Sequence, residues 1–188
     1  MDPAEQAAFG QRISDAAREL ANVTIAAFKE GAGVHPATVV AGCARMAGTR
    51  MFRSFKLTLP AGVKPGDPVL SMDADLQGAM LMRVTANILS SLKVPLPNVP
   101  PPDDGRALFK PLHDFLATQR QLEPCFAPVL ERFGFTPVQE AQACAVAAAL
   151  LIHTFRSHLD PAIGFKVATV AIVEGCKTAP DPIVSAAA

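Results

Sequence analysis

Arg45, Arg50, Arg53 and Lys56 form the densest cluster of like-charged side chains in the chain. Arg45, Thr49 and Arg53 recur every fourth residue, which places them on one face of a helix. The planar fork of arginine matches carboxylate and phosphate oxygens two at a time. This face is therefore a candidate site for a small anionic ligand. The competing reading is a solvated face whose charges are paired with Asp73, Asp75 or Glu140, the commoner fate of charge clusters. His153 interrupts the most apolar stretch of the chain, and Arg156 follows it by three residues. Together they could form the polar end of an apolar pocket, or simply a hydrogen-bonded histidine at the edge of a core. Arg45, Arg50, Arg53, His153 and Arg156 are the candidate ligand-binding residues.

Other chemistries find little support. Helical di-metal sites need Glu-x-x-His pairs or inward carboxylates on facing helices, and neither pattern occurs. His153 and His158 are five residues apart, which turns them about 140° from each other on a helix. No metal site and no cofactor are predicted. There is no GxSxG elbow, no HExxH and no glycine-rich phosphate loop. Cys144 and His153 lie about 13 Å apart along one helix, too far to act as a pair. No catalytic residue is nominated.

The four cysteines, at 43, 125, 144 and 176, form no CxxC pair and read as reduced, mostly buried thiols. Formal net charge is zero and neither Trp nor Tyr occurs, which disfavours nucleic-acid binding. The start of the chain lacks a signal-peptide pattern. The longest apolar run, 143–152, is short of the ~18 residues of a membrane span. The expectation is a soluble, cytoplasmic protein with no membrane role. Abundant Ala, with Arg exceeding Lys, is the composition of a high-GC bacterial protein. Charged residues make up 18% of the chain against an apolar half, so a homodimer or another homo-oligomer is expected.

These residues must be positioned by helices. The fold class is mainly α, a bundle of about six principal helices. Asp2-Pro3 with Glu5 starts the first, which runs to about residue 30 with an apolar stripe at Phe9, Ile13, Ala16, Leu20 and Val23. The second, 36–54, is rich in Ala and Gly, a composition that lets another helix come close. The third spans 73–92. A fourth, 108–133, must kink or split at Pro124 and Pro128. Thr136-Pro137 with Gln139 starts the fifth, 137–159, and Asp160-Pro161 the sixth, to about 175. Residues 55–59 alternate and 167–173 are β-branched, so a small strand pair is the alternative there. Five prolines within 94–105 make that stretch a linker between halves 1–93 and 106–178 of one domain. Residues 179–188 read as a frayed tail.

One pattern cuts across the linker. His35-Pro36, Cys43-Ala44 and Phe52-Arg53-Ser54 are echoed by Thr136-Pro137, Cys144-Ala145 and Phe155-Arg156-Ser157. An internal duplication into two three-helix halves would explain this, and so would chance among Ala-rich helices. A duplication predicts that the two Ala/Cys helices pack together at the centre.

The functional expectation is a non-catalytic helical protein that acts through self-association or partner interaction. The alternatives are a binder or sensor of an anionic or amphipathic small molecule, and an enzyme whose site is assembled across helices.

Overall fold

A computed structural model describes residues 2–31, 33–55, 57–96 and 110–183. Within them lie α1 (Pro3–Ala27), α2 (Pro36–Ser54), α3 (Met72–Ser91), α4 (Phe115–Phe133), α5 (Pro137–Thr154) and α6 (Pro161–Lys177). The expected all-α bundle is the observed one.

The helix starts follow from local hydrogen bonding. Asp2 and Glu5 cap each other's backbone N–H groups, and Thr136 and Gln139 do the same at α5. Each closes two of the four donors that a helix N-terminus leaves open. Asp114 caps Ala117 and Asp160 caps Ala162. Gly134 ends α4 in the left-handed conformation, with φ of 61°, where a side chain would be strained. α4 runs unbroken through Pro124 and Pro128, so the prolines do not split it as the sequence suggests.

The strand alternative fails at both places. Residues 167–173 lie inside α6, whose Asp160 cap and buried Ala168, Ala171 and Ile172 outweigh β-branched propensity. Residues 55 and 57–59 form no ladder. Among the described residues only isolated bridges occur, Glu30 with Gly33 and Pro68 with Thr178. Several ends also move. α1 stops at Ala27 and α5 at Thr154. Residues 97–105 of the expected linker and 184–188 of the expected tail lie outside the described residues. The start of that tail is tied down: Ala179 is buried, and Asp181 exchanges two backbone hydrogen bonds with the Gln119 side chain.

α2 and α5 form the centre and pack on each other. α2 is buried on nearly every side, from Val39 and Val40 to Met46 and Met51. It also packs on α6, while α5 packs on α1 and α3. The halves are therefore interleaved. Exchanging α1 with α4, α2 with α5 and α3 with α6 converts the α2–α6 contact into α5–α3, and α1–α5 into α4–α2. Buried positions follow the same exchange. Leu20 and Thr24 keep the spacing of Phe126 and Leu130, Cys43 and Ala47 that of Cys144 and Ala148, and Leu81 and Thr85 that of Ala171 and Gly175.

The tightest crossing is α2 on α6. A Cβ on Gly48 would lie 2.4 Å from the Ile172 carbonyl oxygen. Gly48, costly to helix propensity, is what permits this approach on the α2 side.

Candidate functional site

The arginine face is not free to bind an anion as it stands. Arg45 is buried, and its Nε and Nη1 are both engaged. Its Nε donates to Glu174 Oε2 at 2.7 Å, and its Nη1 donates to the His113 carbonyl at 2.6 Å and to Thr118 Oγ1 at 2.8 Å. Arg45 thereby ties α2 to α6 and to the chain entering α4.

Arg50 and Arg53 converge on one carboxylate. Each donates to Glu123 Oε1 at 2.6 Å, and Arg50 also faces Glu140 at 3.4 Å. The four side chains are 11%, 12%, 25% and 17% exposed for Arg50, Arg53, Glu123 and Glu140, so water screens them only partly. Arg50 Nε, Arg53 Nε and Glu123 Oε2 have no partner among the described residues. Burial pushes the Glu140 carboxyl above its ordinary range; Arg50 pulls it back, Glu123 adds to the rise and Arg53 opposes it.

This cluster has no counterpart under the exchange of halves. In the register that pairs Cys43 with Cys144, Arg50 falls opposite Leu151, Arg53 opposite Thr154 and Glu140 opposite Val39. In the register that pairs Leu20 with Phe126, Glu123 falls opposite Ala17. Ala17, Val39 and Leu151 are buried. Three of the four charged positions thus correspond to buried apolar side chains in the other half, and the fourth to the exposed Thr154.

The other nominated residues lie apart from this cluster. Arg156 is exposed and donates to the His153 carbonyl at 2.7 Å, closing the end of α5. His153 Nδ1 is buried without a partner among the described residues. Lys56 lies outside the described residues.

The three buried thiols are poor nucleophiles. Burial pushes Cys43 up to about 12 against the Thr24 hydroxyl, which sits 3.1 Å from its sulfur. It does the same to Cys176, which Lys177 moderates. Cys144 is raised by burial and further by Cys43 beside it. Among the described residues no group of His, Cys, Asp and Glu could hold a metal ion, and no single helix is long and apolar enough to cross a membrane.

A cleft lies elsewhere. It has a volume of about 660 Å³ and is walled by Ile25, Val34, Pro36, Phe155 and Leu159. Lys29 and His158 supply its polar edge. Lys29 makes no ion pair among the described residues, and His158 Nδ1 lies 2.9 Å from Ser157 Oγ. The volume falls in the range of small-molecule sites. The cleft's lining comes from Ile25 of α1, Lys29, Gly33 and Val34 between α1 and α2, Pro36 of α2, and Phe155, His158 and Leu159 between α5 and α6. None of the five nominated residues lines it. The sequence held one signal for it: eight residues separate α1 from α2, whereas three separate α4 from α5, and Lys29, Gly33 and Val34 belong to that longer connection.

Compared with known proteins, the chain matches no family model, no curated protein and no solved structure.

Proposed function

We propose that this protein is a non-catalytic binder of a small amphipathic anion, held in the cleft between the α1–α2 and α5–α6 connections. The observation that carries this reading is the meeting of five apolar walls with Lys29 and His158 around one cavity. Apolar burial supplies affinity, and the two basic groups orient the charged end. The engaged forks of Arg45, Arg50 and Arg53 turn the anion reading away from the arginine face and toward this cleft. Octanoate is a suitable probe. Isothermal titration should give saturable one-to-one binding that weakens with salt, and Lys29→Glu should weaken it at least about tenfold. Absence of saturable binding, or indifference to Lys29→Glu, would reject the assignment.

A second reading, self-association, is favoured by a different observation. Leu70, Met72, Leu76 and Val170 are 83%, 81%, 64% and 61% exposed. The first three lie at the start of α3, and α3 packs on α6, which carries Val170. A homodimer would cover these side chains. Light scattering should then show a dimer that Leu76→Glu converts to a monomer; a monomer in the unaltered chain across the concentration range counters it.

The interleaved packing and the Cys43/Cys144 register support an origin by duplication. On that reading the halves remain one assembly after a protease site introduced within 97–109 is cut, as native mass spectrometry would register. Spontaneous separation of the fragments would argue for independent halves.

A further inference from the structure

We infer that a smaller cavity beside the cleft is a second subsite, one that takes an uncharged planar polar group such as a carboxamide. This rests on the reading of the cleft as a ligand site. The cavity holds about 290 Å³ and shares Gly33 and Val34 with the cleft. The α1–α2 connection is therefore a common wall, and one molecule can address both sides of it.

The lining dictates the chemistry. Phe28 is buried, and the His113 ring stacks on it with centroids 5.2 Å apart at 27°. This pair forms a flat wall that suits a planar group. His113 is held from behind: Arg45 donates to its carbonyl, and the neighbouring Leu112 N–H donates to Thr38 Oγ1 at 3.0 Å. The His113 ring itself makes no hydrogen bond among the described residues, so its nitrogens remain available. Glu30 lines the same cavity and has no ion pair among the described residues.

An acceptor-only carboxylate and an imidazole able to donate or accept complement a group that does both from adjacent atoms. A primary carboxamide does this. A carboxylate does not, and Glu30 repels it. The large cleft thus offers Lys29 and His158, whereas the small cavity combines Glu30 with His113 and with His35, whose Nδ1 lies 2.8 Å from Thr38 Oγ1. Lys29 and His158 draw the anionic end into the large cleft, and Glu30 keeps that end out of the small cavity. The extra residues of the α1–α2 connection furnish the discriminating side chain on each side, Lys29 for one and Glu30 for the other.

Nicotinamide and nicotinate test this, with the His113 imidazole and Val34 methyl signals as NMR reporters. Nicotinamide should shift both signals saturably, and nicotinate should bind at least about tenfold more weakly. Glu30→Gln should narrow that gap, because it removes the repulsion and leaves a hydrogen-bonding side chain. His113→Ala should weaken nicotinamide about tenfold while octanoate binding in the large cleft persists. Equal binding of the two probes, or a gap unchanged by Glu30→Gln, overturns the proposal. So does nicotinamide binding that is indifferent to His113→Ala. Because octanoate reports on the cleft alone, failure of octanoate with success of nicotinamide rejects the cleft reading and keeps the subsite. The reverse pattern rejects the subsite and keeps the cleft.

Discussion

Gly175 of α6 sits against Gly48 of α2 so closely that a Cβ on Gly175 would stand 2.9 Å from the Gly48 Cα and 2.3 Å from the Arg45 carbonyl oxygen. The obstacles are backbone atoms, which cannot rotate away. Gly175→Ala must therefore push α6 off α2. The expected loss is about 3 kcal/mol, at the upper end of overpacking, with a lowered denaturation midpoint. Gly10→Ala is the control, since its Cβ meets nothing within 4 Å and alanine is the better helix former. Equal midpoints for the two variants would show that the crossing is looser than described.

The four-charge cluster invites replacement by its apolar counterpart. Arg50→Leu, Arg53→Thr, Glu123→Ala and Glu140→Val together should leave stability within about 1 kcal/mol of the parent, because well-packed apolar groups often match a buried ion network. Glu123→Ala alone should cost about 2–3 kcal/mol, since it strands the mostly buried Arg53 and leaves Arg50 only the longer contact to Glu140. Urea melts of both variants decide this. A fourfold variant less stable than Glu123→Ala would show that the charges are required by the packing.

Glu140 gives the cluster a pH dependence with a definite sign. Its folded-state pKa is raised, chiefly by burial. The folded state therefore holds the proton more tightly than the unfolded chain, and ∂ΔG/∂pH is negative between the two values. The associated stability is full below the ordinary carboxylate range and is lost as pH rises through the folded-state value. Relative to Glu140→Gln, the parent should gain stability on going from neutral to mildly acidic solution. Parallel urea melts at two pH values measure the difference, and a constant offset between the proteins contradicts it.

The four thiols should divide one against three. Cys125 is partly exposed, whereas Cys43, Cys144 and Cys176 are buried and resist forming thiolate. Native protein treated with a thiol-reactive disulfide at pH 8 should release one equivalent quickly and the remaining three only on unfolding. Cys125→Ser should abolish the fast phase. Rapid reaction of Cys43 or Cys144 would mean that the α2–α5 centre opens readily.

What the sequence revealed depended on the range of the interaction. Capping is local, so Asp2 with Glu5, Thr136 with Gln139 and Asp160 mark three helix starts that the structure contains. The Ala and Gly of α2 foretold close approach, and Gly48 against Gly175 is that approach. The β-branched run in α6 left a strand open as the alternative to the capped helix, because its environment is set by α2 and α3, distant in sequence. The arginines were visible as a cluster, but their partners were not. Arg45 bonds the backbone carbonyl of His113, an atom with no sequence signature, and Glu123 comes from a helix of the other half. The cleft escaped for the same reason, since Phe155 and Leu159 meet Ile25 and Lys29 only when the halves interleave.

That interleaving also sets an order of events at the ribosome. α2 is made well before α5 and α6, yet the surfaces that cover Val39, Met46 and Met51 include both. At ordinary rates of synthesis the interval between them is on the order of ten seconds. Throughout it the nascent chain carries an apolar helix for which its own length provides no complete shelter. Cooperative folding must therefore wait for α6, and a chain truncated before it would leave the ribosome with its centre uncovered.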